Sequence, residues 1–354
     1  MALVSMRQLL DHAAENGYGI PAFNASNMEQ IMAIMAAAAK TDSPVILQAS
    51  TSALKYATPV MFKHMVQAAV QLYPQIPVSW HLDHGPSPMV CFSALYSGFT
   101  SVMMDGSLEA DGKTPASHEY NARVSKEVSA VAHAMGASVE GEIGVMGSLE
   151  TGRGDKEDGH GHEGVLGKDK LLTNPDEAVK FALETKVDAL AVAIGTSHGA
   201  YKFTRKPDGA ILSIDTIKKI HEKLPSTHIV MHGSSSVPQE IQDIINANGG
   251  NIKQTYGVPI EEIQEGIKHG VRKVNVDTDL RMALTAALRK YFTDKPADFD
   301  VRKYLGYGME FTQKECTNRY EAFGAAGHAS SIKPITLADM AKRYASGELD
   351  PKAG

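Results

Sequence analysis

The sequence predicts an α/β chain folded as a parallel (β/α)8 barrel with a helical extension at its C-terminus. Three observations carry that expectation. Short apolar runs alternate with amphipathic helical stretches along most of the 354 residues, and eight such alternations suit a closed parallel sheet. The runs end in side chains capable of chemistry: Asn24, Ser50, Asp83 with His84, Asp105, Glu142, His198, His232, and Asn275 with Asp277. Polar residues often mark where a strand stops, but a rim of His, Asp, Glu and Asn is what the catalytic face of a TIM barrel presents. Finally, Asn24-Ala25-Ser26-Asn27 follows the first run, where an open doubly wound sheet would need a glycine-rich phosphate loop.

Taken in order, strands are expected at 20–24, 44–50, 78–83, 100–105, 137–142, 189–195, 228–232 and 273–277. Helices are expected between them, at 28–40, 59–72, 117–135, 175–186, 213–224 and 259–269. Two segments break this rhythm. Residues 144–170 are long for a connection and rich in glycine and charge, which suits a lid on the catalytic rim. The tail beyond Tyr291, with helices expected at 298–322 and 337–345, exceeds what eight β/α units need and is expected to pack on the barrel or on a partner subunit. The expected organisation is one catalytic domain, its barrel at about 1–293 and its extension at about 294–354.

Composition narrows the function. A net charge of −6 with no basic stripe argues against nucleic acid as a partner, while a small phosphorylated substrate needs only a few local donors. Cys91 and Cys316 have neither metal-site spacing nor a disulfide framework, so a reducing cytoplasm is the expected compartment. No apolar stretch reaches membrane-span length, and the N-terminus lacks a targeting pattern.

Three histidines dominate the chemistry. His84, His198 and His232 each follow a short apolar run and each stands next to a glycine. Three imidazoles from three strand ends can hold one divalent metal and leave a fourth position open, the ligand count of a catalytic zinc site. Asp83 precedes the first of them and suits proton transfer, provided the strand ends between Asp83 and His84 so that both reach one site. Its alternative is an N-cap for the helix near Pro86. Asp105 and Glu142 can orient the histidines or bind a second cation, or simply cap and pair. Glu140 shares the face of Glu142, and His81 points away from the rim. The stretches Gly233-Ser234-Ser235-Ser236 and Asn275-Val276-Asp277-Thr278 follow the seventh and eighth runs, where barrel enzymes grip phosphate; a plain turn is the alternative. His160 and His162 sit in the glycine-rich segment and suit a rigid metal site poorly, whereas Glu150 there could be carried onto a substrate.

With these residues in view, the chain resembles the class II, metal-dependent fructose-1,6-bisphosphate aldolases. The matching motifs are Leu82-Asp83-His84-Gly85, Gly195-Thr196-Ser197-His198-Gly199, Val230-Met231-His232-Gly233 and Lys273-Val274-Asn275-Val276-Asp277-Thr278-Asp279, with Gly19-Ile20-Pro21-Ala22-Phe23-Asn24 as an opening. The resemblance covers roughly residues 1–325, and residues 147–154 and 299–305 look like the Calvin-cycle-type branch. It implies zinc on His84, His198 and His232, with Asp105 and Glu142 at a second divalent-cation position and a monovalent-cation requirement left open. It implies Asp83 as acid/base and Glu150 as the loop carboxylate that moves the proton at the nucleophilic carbon. Gly199, Gly233, Ser234, Ser235, Asn275, Val276, Asp277 and Thr278 fall at the dihydroxyacetone phosphate half, and Ser50 at the glyceraldehyde phosphate half. Arg302 resembles an arginine reaching a neighbouring subunit's substrate, which implies a homodimer or homotetramer.

The chain departs from the family in two places. Serines stand where many members carry His-Gly-Gly-Ser-Gly after the seventh run, and Val301 stands where proline is common. Tagatose 1,6-bisphosphate as substrate, or sedoheptulose 1,7-bisphosphate as an additional one, stays open, as does the choice between glycolysis/gluconeogenesis and the Calvin cycle. The rival readings are a Schiff-base aldolase using Lys273, a metal-dependent hydrolase and a catalytically inactive binding protein.

Overall fold

A computed structural model describes residues 3–109, 114–144, 146–147, 156–157, 160–161, 171–207 and 211–354. Eight strands form one closed barrel: β1 Ile20–Asn24, β2 Val45–Ser50, β3 Val78–Gly85, β4 Ser101–Met104, β5 Ser138–Ile143, β6 Ala189–Val192, β7 His228–Met231 and β8 Val271–Val276. Each pairs in parallel with its sequence neighbours, and β8 closes on β1 through Ile20–Lys273 and Ala22–Asn275. The expected (β/α)8 barrel is therefore the observed fold.

Strands covered on both faces are apolar on one and mixed on the other. In β3, Val78, Trp80 and Leu82 belong to the core beneath the helices, where Trp80 stacks on Phe99 at 3.8 Å between ring centroids. Ser79, His81 and Asp83 alternate with them and meet polar partners from other strands. Polar residues thus line the inside of this barrel, and the site grows out of that lining.

The helices follow in chain order: α1 Met6–Asn16 ahead of β1, α2 Met28–Thr41, α3 Thr51–Ala57, α4 Pro59–Leu72, α5 Pro88–Ser97, α6 His118–Ala134, α7 Pro175–Thr185, α8 Ile214–Lys223, α9 Gln239–Ala247, α10 Ile260–Lys268, α11 Thr278–Asp294, α12 Val301–Ala322 and α13 Leu337–Ala345. Their starts carry familiar caps. Asn27, Ser87, Ser117 and Asn174 accept backbone N–H groups at the heads of α2, α5, α6 and α7. Ser87, not Asp83, is therefore the cap of α5, and the capping alternative for Asp83 falls away.

The tail packs on the barrel. α12 lies along α2 and α11, with Tyr320 edge-on to Phe23 at 5.2 Å. α13 lies on α6, where Tyr344 stacks on His133 at 3.8 Å. On the face away from the strand C-termini, the buried Asp188 accepts from Tyr344 (2.8 Å), Arg7 of α1 (3.3 Å) and the Val139 N–H (2.8 Å), and pairs with His133 (3.0 Å). Among the described residues no helix is long and apolar enough to cross a membrane. Glu150 and His162 lie outside the described residues, as does most of 144–170; the backbone of His160 pairs with Glu157 in a two-residue hairpin.

Candidate active site

Asp83 and His84 reach one site, but not because the strand ends between them. β3 runs on to Gly85, and its register against β4 shifts between Leu82 and Gly85. His84 takes a left-handed backbone conformation, φ 49°, at this irregularity. The extra residue rotates the chain, so two neighbours that would otherwise point apart face the same rim. A Cβ on Gly85 would lie 2.6 Å from both Cys91 Sγ and the Met103 carbonyl, so the turn needs glycine there. The loops after β6 and β7 approach as closely: a Cβ on Gly233 (φ 61°) would sit 2.5 Å from the Ser197 carbonyl, and Thr196 Oγ1 donates to the His232 carbonyl at 2.9 Å.

These turns bring the three histidines together. One ring nitrogen from each lies within 4.8 Å of the others, and one ligand atom each from His84, Asp105 and Glu142 forms a second, overlapping group within the same distance. His84 Nδ1 donates to Asp105 Oδ2 at 2.9 Å, with Glu142 Oε2 at 3.8 Å, and His232 Nε2 donates to Glu140 Oε1 at 2.8 Å. The inner nitrogens, His84 Nε2 and His232 Nδ1, then face each other at 3.0 Å. Two lone pairs at that separation repel unless a proton or a metal cation lies between them. Outer nitrogens on carboxylates and inner nitrogens converging are what a metal-binding histidine set requires, so these residues fit a divalent ion.

The electrostatics agree. Burial works against a charged His84, yet Asp83, Asp105 and Glu142 outweigh it and lift its pKa well above 6.5. His232 goes the other way: burial, with His84 and Lys273 nearby, lowers it to about 4, against the pull of Glu140. Burial also opposes ionisation of Asp105, but His84 and Ser107 bring it down to about 2. For Glu142, burial together with Asp105 outweighs the pull of His84 and raises it. The pocket favours positive charge at its centre.

Asp83 sits beside this group. Its Oδ2 accepts from Asn24 Nδ2 at 2.8 Å and Gln48 Nε2 at 3.3 Å, and its Oδ1 from Asn275 Nδ2 at 3.2 Å. Burial pushes its pKa up, but His84, Lys273, His232 and the Asn24 hydrogen bond together hold it below the ordinary carboxylate range. Asn24, Asp83, His198, Gly199, Lys202, Gly233, Ser234, Ser235, Asn275, Asp277 and Thr278 line one cleft. Most of the residues expected at a phosphate therefore share a surface with His198 and Asp83.

Residues 4–328 match the family described as fructose-bisphosphate aldolase class-II. The chain is 62% identical over 349 residues to a fructose-bisphosphate aldolase of Xanthobacter flavus, covering 99% of each chain. It is 63% identical to a fructose-bisphosphate aldolase class 2 of Synechocystis sp., covering 99% of this chain and 97% of the relative. The crystal structure of the YdjI aldolase from Escherichia coli K12 superposes with a TM-score of 0.69 at 26% identity, over 92% of this chain and 99% of that one.

The chain belongs to the class-II fructose-bisphosphate aldolase family.

As a class-II aldolase it is a lyase, and the Schiff-base reading of Lys273 fails. That lysine has no exposed surface, does not line the cleft, and pairs with Glu140 at 2.8 Å. Among the expected substrate-binding residues, three stand apart from the cleft of this aldolase. Ser50 Oγ accepts from the Ala53 N–H at the head of α3, and Val276 is a buried strand residue. Arg302 is 86% exposed and pairs with Asp300 at the start of α12, so it does not reach the cleft of its own chain. Glu150 is outside the described residues. Asn24, Gln48 and Lys202 are functional neighbours that sequence reasoning did not single out as site residues. Asn24 was visible as a strand end; nothing marked Gln48 or Lys202. Asp279 was also missed: its carboxylate accepts from the Ser236 and Val237 N–H groups at 3.0 and 2.8 Å and from Arg319 at 3.0 Å, bracing the loop after β7 from behind.

Proposed function

We propose that this aldolase cleaves fructose 1,6-bisphosphate reversibly to dihydroxyacetone phosphate and glyceraldehyde 3-phosphate, with a zinc ion held by His84, His198 and His232. The observation that carries the reading is the 3.0 Å approach of His84 Nε2 to His232 Nδ1, each ring anchored outward by a carboxylate. A divalent ion bound there supplies a Lewis acid that polarises the ketone oxygen of the substrate. Asp83, kept ionised by His84, Lys273, His232 and the Asn24 amide, takes the proton of the C4 hydroxyl as the C3–C4 bond breaks, and returns it to the aldehyde oxygen in condensation. Asn275, bonded to Asp83, holds the carboxylate toward the histidines.

The N–H groups of Gly199, Gly233 and Ser235, with the hydroxyls of Ser234 and Thr278 and the ammonium of Lys202, hold one phosphate in the cleft. Asp277 and the backbone of Val276 complete that end, Ser50 meets the other half of the substrate, and Glu150 moves the proton at C3. Asp105 and Glu142 orient His84 and provide for a second divalent cation. We place the whole chain in one catalytic domain acting in the cytoplasm, in glycolysis/gluconeogenesis or the Calvin cycle. A homodimer or homotetramer would let Arg302, beside the 89% exposed Phe299, serve the neighbouring site.

Cleavage of fructose 1,6-bisphosphate, followed through triose phosphate release, tests the reading. Activity is expected to vanish with a chelator and return with zinc. Turnover that survives complete metal removal overturns it, and a preference for tagatose 1,6-bisphosphate would replace the substrate while leaving the chemistry.

A further inference from the structure

Beneath His232, three fully buried side chains share one carboxylate. Glu140 Oε1 accepts from His232 Nε2 at 2.8 Å, while Oε2 faces Lys273 Nζ at 2.8 Å and His81 Nε2 at 3.4 Å. His81 is itself held through Nδ1 by Ser101 Oγ at 2.8 Å. Among the described residues Lys273 Nζ has no hydrogen-bond partner, so this carboxylate is its counter-ion. A buried ammonium stripped of its acceptor is strongly disfavoured. Lys273 therefore fixes where the Glu140 carboxylate sits.

We propose that Lys273 and Glu140 form a positioning pair that sets the tautomer of His232. With Oε2 claimed by the lysine, Oε1 is the atom left for the imidazole. Being an acceptor, it requires N–H on Nε2 and leaves the Nδ1 lone pair facing His84. The proposal rests on the three-histidine metal reading, and it gives a role to a lysine that neither lines the cleft nor touches substrate.

The pair makes an unusual demand on substitution. In Glu140→Gln, the amide oxygen is pulled to Lys273, the one group that can only donate. The amide NH2 then faces His232 Nε2, which must accept, so the proton moves to Nδ1 and points into the metal position. Adding Lys273→Met removes that demand. The glutamine is free to turn its oxygen to His232, and the original tautomer returns. The second substitution repairs the first.

Zinc affinity by chelator competition and the visible spectrum of the cobalt(II)-loaded protein read this directly. Glu140→Gln is expected to bind zinc about 10–100-fold more weakly, with an altered cobalt spectrum. Glu140→Gln/Lys273→Met is expected to recover at least tenfold of that loss and the wild-type spectrum. Losses that add, or a single variant that binds like wild type, overturn the proposal. Should the variants not fold, nitrogen-15 histidine NMR of the metal-free wild-type chain gives the answer. His232, assigned by the resonances lost in His232→Asn, is expected to carry its proton on Nε2, and protonation on Nδ1 alone overturns the pair's role. A wild-type chain that binds neither zinc nor cobalt while showing the Nε2–H tautomer would instead sink the metal reading.

Discussion

His84 holds a left-handed conformation that costs a non-glycine residue about 1–3 kcal/mol. That strain falls where it turns the His84 ring and the Asp83 carboxylate to the same side. Asp83→Ala should therefore leave bound zinc near one per chain while kcat falls by about 10²–10⁴. Metal analysis beside steady-state kinetics checks it, and a kcat within a few-fold of wild type removes Asp83 from the mechanism. Gly85→Ala, which drives a methyl against Cys91 Sγ and the Met103 carbonyl, should lower stability by about 1–3 kcal/mol in a denaturant titration. At this scale the sequence was only half legible. Glycine after each histidine and an apolar run before it made the three ligands visible. Nothing local marked the extra residue in β3, because a left-handed histidine looks like any other in a list of letters. Gln48 and Asn275 meet at Asp83 although Asn275 lies 192 positions away from it, and only closure of the barrel brings them there.

Between elements, the loop after β7 depends on helices that carry no substrate. Asp279, at the head of α11, receives two of its N–H groups, and Arg319 of α12, itself paired with Glu315, holds the carboxylate in place. Val237 lies in this loop at φ 48°, so the brace also holds a strained residue. Arg319→Met should loosen the phosphate end of the cleft while leaving the histidines alone. The expected result is a rise of about tenfold in KM, equivalent to about 1.4 kcal/mol of binding, with metal content unchanged. An unaltered KM would show that the loop holds its shape without the helix. Helix positions were legible because caps and periodicity are local; the bracing was not, since Asp279 and Arg319 belong to different helices 40 positions apart.

For the whole molecule, acid should act on the face opposite the catalytic rim. Burial raises Asp188, but His133 and Arg7 outweigh it, so its folded pKa lies below the ordinary 3.8 and the unfolded chain takes up the proton more readily. Its contribution is full above the ordinary value and is lost as pH falls through the lower folded one. Burial lowers His228 from 6.5 despite Asp11, so its neutral form also favours the fold and loses ground as pH falls below 6.5. Thermal unfolding should move to lower temperature from pH 7 toward pH 3, with His228 acting below 6.5 and Asp188 only below 3.8. His228→Asn should flatten the upper part of that slope, and a profile identical to wild type would remove His228 from the effect.

Asp188 also gathers parts of the chain made at very different times. Arg7 leaves the ribosome long before Tyr344 and before Leu349, whose carbonyl lies 342 positions further on and accepts from Arg7 at 3.2 Å. During synthesis the floor of the barrel must therefore wait, its carboxylate short of a partner, until the chain has been translated past Tyr344. A chain released before that point would carry an unfinished base, the kind of product that quality-control proteases clear.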